Sequence, residues 1–170
     1  MQFLYQSDII DSSSECQNWG DFYCLGYFYR RRKMAGVSEL IRTESDGTIS
    51  FGDYTLDQKA KLNDFKHNGA SYKVKTYKDI TKLECNDVFV YESVPGTVVT
   101  HFKKEDGKVS LVVEGPEDAQ ITLELDADAE YEISINGESA GAMCTNLGGK
   151  LSFSVELEGN EAVSIVVEKR

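Results

Sequence analysis

His67 and His101 are the only histidines in the chain, so acid–base or metal chemistry built on imidazole has to pass through them. Neither has a second His at the i, i+4 spacing by which a helix offers two ligands to zinc. His67 sits beside the turn pair Asn68-Gly69, and His101 lies between Thr100 and Phe102 in an expected strand. Both therefore read as surface or packing residues. Asp126, Asp128 and Glu130 alternate like the first ligands of a calcium loop, but Tyr131 stands where such a loop needs glycine for its sharp turn. These carboxylates read as a solvated acidic turn. No Ser-x-x-Lys motif and no Gly-rich phosphate loop opening a helix is present. No catalytic residue, metal site or cofactor is expected.

Two further residue types bear on ligands. Tyr54, Tyr72, Tyr77, Phe89 and Tyr91 concentrate before Pro95, and aromatic faces on a β-sheet can stack on sugar rings. Tyr72 and Tyr91 are the candidate ligand-binding residues, with core or rim packing as the competing role. Glycoside hydrolysis would need a carboxylate pair across a cleft, about 5–9 Å apart. The spacing of the acidic residues singles out no such pair.

The elements that must position these residues are strands. Residues 40–44 and 48–51 flank Ser45-Asp46-Gly47, a hairpin signal because glycine accepts positive φ. In 71–77, Tyr72, Val74 and Thr76 alternate with Lys73 and Lys75. Residues 80–84 and 88–93 flank Asn86-Asp87, and 109–113 follows Glu105-Asp106-Gly107. Further on, Ile121, Leu123 and Leu125 alternate with polar residues, as do Tyr131, Ile133 and Ile135, then Leu151, Phe153, Val155 and Leu157, and finally Val163, Ile165 and Val167. Turn signals recur every 8–12 residues or so, as in a sandwich or barrel. Alternation puts one apolar face on each strand, and two sheets packed face to face bury both. The expected fold is all-β, an antiparallel β-sandwich of Greek-key or Ig-like type. One short helix competes over 56–64, where Leu56, Ala60 and Leu62 fit neither period. Gly141 and Gly148-Gly149 read as loops or bulges, and Pro95-Gly96 divides the body into possible halves, 34–95 and 96–170.

Residues 1–33 differ in character from the rest of the chain. They hold eight of the 18 aromatics and the only tryptophan, and they end in Arg30-Arg31-Arg32-Lys33 before Met34. Consecutive Arg codons before a Met can spell a purine-rich ribosome-binding site, so Met34 is the expected start and 1–33 a mis-annotated stretch of leader DNA or a disordered leader. The remaining 137 residues suffice to bury about two thirds of their unfolded surface. The leader's charges cancel, so the net −11 belongs to the body. Such a surface repels phosphate backbones and anionic lipid, which argues against nucleic-acid and membrane partners. No signal peptide and no membrane span of about 20 apolar residues is visible. Cys85 and Cys144 form no Cys-x-x-Cys pair and read as buried small apolar groups. A cytoplasmic location follows.

From Met34 the chain resembles a family of short, mostly uncharacterised proteins of clostridial gut bacteria, some bearing the label endosialidase. The resemblance rests on residues 38–44 (Ser-Glu-Leu-Ile-Arg-Thr-Glu), 47–52, 90–96 (Val-Tyr-Glu-Ser-Val-Pro-Gly), 113–119 (Val-Glu-Gly-Pro-Glu-Asp-Ala) and 145–152 (Thr-Asn-Leu-Gly-Gly-Lys-Leu-Ser), and it covers 34–170. From about Gly96 the pattern also resembles small β-sandwich modules of carbohydrate-active enzymes. The label implies glycan hydrolysis. A sialidase, however, needs a many-bladed propeller and clustered arginines to grip the sugar carboxylate, and the body's arginines are only Arg42 and Arg170. The expectation is a non-enzymatic interaction or accessory protein with a protein or glycan partner. The alternatives are a carbohydrate-binding module, then an endosialidase-like glycan hydrolase.

Overall fold

A computed structural model of the chain describes residues 36–37, 39–157 and 161–170. The expected leader, 1–33, lies outside these residues, as does Met34. In chain order the strands are β1 (Ile41–Thr43), β2 (Ile49–Phe51), β3 (Ala60–His67), β4 (Ala70–Tyr77), β5 (Ile80–Cys85), β6 (Val88–Val94) and β7 (Val98–Glu105). They continue as β8 (Lys108–Glu114), β9 (Ala119–Glu124), β10 (Glu130–Ile135), β11 (Glu138–Cys144), β12 (Lys150–Val155) and β13 (Val163–Lys169).

These strands build an all-β sandwich of two antiparallel sheets. One sheet has seven strands in the order β1-β2-β7-β8-β13-β10-β11, the other six in the order β12-β9-β6-β5-β4-β3. The chain crosses repeatedly between sheets after β6, and β13 returns to lie between β8 and β10. Because β2 pairs with β7 and β6 with β9, both sheets mix strands from either side of Pro95-Gly96.

Alternation fixes the faces. On β12, Leu151, Phe153 and Val155 are buried while Lys150, Ser152 and Ser154 are exposed. Leu83, Tyr91, Leu123 and Leu151 stand opposite one another across four strands and all point inward. They meet Phe51, Leu111, Val113, Tyr131, Ile133 and Ile165 of the other sheet in one core. Burying each such side chain stabilises the fold by roughly 1.5–3 kcal/mol relative to exposure.

Where the chain crosses from β6 to β7, the core is polar and fully bonded. Thr81 Oγ1 donates to the Thr97 carbonyl at 2.7 Å, and Thr97 Oγ1 meets Ser93 Oγ at 2.7 Å and Tyr91 OH at 3.0 Å. Close backbone approach requires glycine here. A Cβ on Gly52, whose φ is +97°, would stand 2.4 Å from the Thr97 carbonyl oxygen, and one on Gly96 2.1 Å from that of Tyr77.

Three local expectations are corrected or narrowed. The competing helix over 56–64 gives way to β3, whose pairing with β4 shifts register between Leu62 and Phe65. Asp64 has φ +60° there. That bulge puts two core-leaning residues three apart, a spacing that also suits a helix turn. The second is the Gly141 region, where of the loop or bulge expected it is the bulge that forms: it lies in the edge strand β11, whose pairing with β10 skips Ala140 between Ser139 and Gly141, with all seven residues exposed. Lastly, Cys144 on β11 is exposed and Cys85 half-buried, so neither is a fully buried apolar group; both are free thiols.

Candidate functional site

The two candidate tyrosines part company. Tyr91 is 0% exposed. Its ring meets Phe51 edge-on at 5.4 Å, and burial pushes its hydroxyl up to about 12. It is a core residue and offers no face to a sugar, because its register with Leu83 and Leu123 points it inward.

Tyr72 is half-buried on β4, edge-on to His67 at 6.3 Å. Burial, then the neighbouring Cys85 thiol, pushes it up to about 12. Two adjoining depressions share Tyr72, Phe102 and Lys104 in their walls: one of about 300 Å³ reaching His67, the other of about 340 Å³ reaching Cys85, Val88 and Phe89.

Both histidines flank the β1–β2 turn. His101 Nδ1 lies 3.0 Å from Asp46 Oδ2, and His67 contacts Thr43 Oγ1 at 3.0 Å and the Gly47 carbonyl at 3.1 Å. Asp46 also accepts from the Thr48 hydroxyl at 2.6 Å and the Thr48 amide at 3.0 Å, which holds it down at about 2. The imidazoles thus staple a hairpin. Asp126 pairs with Lys169 at 2.9 Å, and no group of three or more His, Cys, Asp or Glu is placed to hold a metal ion among the described residues. Arg42 is bound to Glu44, and Arg170 to Glu130 and Glu132.

One motif match escapes the sequence reading. Gly137-Glu138-Ser139-Ala140-Gly141 spells the Gly-x-Ser-x-Gly of a nucleophile elbow. An elbow needs a strand-to-helix turn and a histidine at the serine. Here the residues form the β10–β11 turn and the edge strand, and Ser139 Oγ donates to Glu132. The match carries no hydrolase machinery.

The arrangement with the most unbalanced chemistry is the outer face of the six-stranded sheet. Lys61 on β3 stands directly opposite Lys75 on β4, and Lys75 directly opposite Lys82 on β5. The row continues through Glu92, Thr122 and Ser152. Directly opposed residues lie about 4.5–5.5 Å apart at Cβ, and like charges so placed destabilise a sheet. With Lys73 and Glu84, these lysines line a depression of about 240 Å³. Lys73 is bonded to Asp87, and Lys82 to Glu84 at 2.8 Å. Lys61 and Lys75 have no ion-pair partner among the described residues. Burial, followed by the ammonium groups of Lys59, Lys61 and Lys82, holds Lys75 below the usual lysine range. Beside the row, Phe89 lies under Lys150 Nζ at 4.8 Å and Lys82 Nζ at 5.7 Å, as cation–π contacts do.

Sequence reasoning missed this face because net charge hides distribution. The available signal was the phase of Lys73 and Lys75 against Val74 on one strand and of Lys82 against Leu83 on the next. Comparison with family models, with curated proteins and with solved structures gives no match for this chain. Among the described residues, no helix is long and apolar enough to cross a membrane.

Proposed function

We propose that this chain is a non-enzymatic bacterial interaction or accessory protein that works in the cytoplasm through the open outer face of its six-stranded sheet. The observation that carries this reading is the row Lys61-Lys75-Lys82. A chain of net charge −11 has many carboxylates with which to neutralise three lysines, yet it sets them opposite one another on a solvent-facing sheet and pairs only Lys82, with Glu84, among the described residues. A like-charge register that weakens the free fold is explained by a partner that supplies negative charge. The exposed free thiol of Cys144 fits a reducing compartment.

The test is retention against net charge. At pH 7 and low salt the full chain is expected to bind a phosphate-bearing cation-exchange matrix despite its acidity. A Lys61→Gln/Lys75→Gln/Lys82→Gln variant should flow through, while Lys108→Gln, on the other sheet, should behave like the native chain. Flow-through of the native chain, or retention that survives the triple replacement, would sink the reading.

A second reading, carbohydrate binding, draws on Tyr72, whose ring forms part of a groove wall with Phe102 and Lys104. Weak sugar binding lost in Tyr72→Ala and unaffected by the lysine replacements would favour it.

A further inference from the structure

We infer that the depression over β3–β5 is a binding site for a short oligophosphate, held by Lys61, Lys73, Lys75 and Lys82 with Asn63 beside them. The inference rests on the reading of this face as the binding surface and adds the ligand class.

Three features select the chemistry. The first is valence. Four lysines line the depression against one carboxylate, Glu84, and Lys59 adds its charge at Lys75. Two of the four are engaged, Lys73 by Asp87 and Lys82 by Glu84. That leaves several positive charges within the span of three strands, about 10 Å at the usual strand separation. A monovalent anion cannot neutralise them together, whereas a chain of phosphoryl groups can.

The second feature is the donor type. The site contains no arginine, whose planar fork would fix a carboxylate or a phosphate bidentately. Lysine ammoniums act as mobile point charges that fit the several equivalent oxygens of a phosphoryl group. A ligand with several closely spaced charges gains most from such donors, and a phosphoryl chain carries more charge per length than an acidic peptide or a carboxylated sugar.

The third feature is extent. Glu92 follows Lys82 in the same row, and Asp87 stands at the Lys73 end. A long polyanion lying across the sheet would run onto these carboxylates. No aromatic ring lines the depression itself, and the neighbouring Phe89 ring is already covered by the ammonium groups of Lys82 and Lys150, so an open stacking platform of the kind that holds single-stranded nucleic acid is not offered here. A compact ligand fits best. Either free oligophosphate or the phosphate tail of a nucleotide has this chemistry.

The experiment is calorimetric and NMR titration of the full chain with inorganic tripolyphosphate, a nucleoside triphosphate and a single-stranded oligonucleotide. Saturable one-to-one binding of tripolyphosphate is expected, weakening with salt and with the largest shifts at Lys61, Lys75 and Lys82. Loss of one charge-assisted bond corresponds to about tenfold or more in affinity. Lys75→Gln should lose that much and Lys108→Gln nothing. Equal affinity for tripolyphosphate and the nucleotide assigns the phosphate chain alone as the ligand; tighter nucleotide binding, still lost in Lys75→Gln, assigns a nucleotide's tail. Failure to saturate at millimolar tripolyphosphate, indifference to Lys75→Gln, or an oligonucleotide bound ten times more tightly would each overturn the inference. If the matrix retention still depends on the lysine row, this inference falls and the reading of the face survives. If that dependence is also lost, both fall.

Discussion

The two outer faces of the sandwich treat the same electrostatic problem differently. On the seven-stranded sheet, Glu132 of β10 stands directly opposite Glu168 of β13, also a like-charge pair. There the chain supplies the answer itself. Arg170 Nη2 reaches Glu132 at 2.7 Å, and Lys108, opposite Glu168 in the ladder, reaches it at 3.5 Å. On the six-stranded sheet the row Lys61-Lys75-Lys82 meets carboxylates at its Lys82 end, where Glu84 holds Lys82 and Glu92 stands opposite it, and Lys61 and Lys75 have no ion-pair partner among the described residues. One like-charge register is closed by internal partners and is structural. The other is left open, and openness of that kind is what a ligand of opposite charge can use.

The largest expected effect separates inside from outside on one strand. Phe153→Ala should cost about 3–5 kcal/mol, the range for a buried aromatic. Ser154→Ala, on the exposed face of the same strand, should stay within about 0.5 kcal/mol. Chemical denaturation measures both. Comparable losses would mean the register that defines the two faces is wrong, and with it the lysine row. Next comes the closed register. Arg170→Gln removes the cation from Glu132 beside Glu168 and should destabilise the fold by up to about 1 kcal/mol, the scale of exposed ion pairs. An unchanged midpoint would mean that solvent, not Arg170, satisfies that pair.

Much of this contrast was unreadable in one dimension. Strands with one wet face announce themselves: Leu151, Phe153 and Val155 against Ser152 and Ser154 give β12, and Ile121 and Leu123 give β9. β11 is exposed on both faces, so Ser139, Ala140, Gly141 and Ala142 have no reason to alternate and look like a loop. β3 was ambiguous because the bulge at Asp64 breaks the two-residue period. Tyr72 and Tyr91 look alike in sequence; their fates differ because Tyr91 shares a register with Leu83 and Leu123, while Tyr72 sits at a groove. The lysine row needed pairing information. Lys61, Lys75 and Lys82 lie on three strands, and only the hairpin registers bring them side by side.

The open register carries a prediction of opposite sign to the closed one. Lys75→Glu turns two like-charge pairs into two attractive ones and should stabilise the ligand-free chain by about 0.2–1 kcal/mol. Added salt should stabilise the native chain and do less for the variant, since screening relieves only the repulsion. A mutation that raises stability while abolishing phosphate binding is what a site held at the expense of the fold would show. Destabilisation by Lys75→Glu would mean the lysines are already neutralised.

The smallest effect is a difference in direction along the pH scale. Asp46, on the seven-stranded sheet's β1–β2 turn, is held at about 2 by Thr48 and His101, against an ordinary 3.8. A carboxylate lowered in the fold contributes stability that is complete above its unfolded value and lost as pH falls through its folded one. The hairpin turn should therefore loosen between about pH 4 and pH 2, read as the shift of the Thr48 amide. Lys75 is lowered because its charge is disfavoured in the fold, first by burial and then by Lys59, Lys61 and Lys82. The unfolded chain then holds that proton more tightly, so stability rises as pH climbs from the folded value toward the ordinary 10.5. Acid should loosen the turn whose carboxylate is satisfied, and alkali should relax the lysine row that is not. Side-chain NMR of Lys75 through the alkaline range checks the second half, with Lys61→Gln expected to raise its midpoint by removing one neighbouring charge. A Lys75 midpoint at or above 10.5, indifferent to Lys61, would mean that the ammonium groups avoid one another in solution and that the register of the backbone does not crowd them.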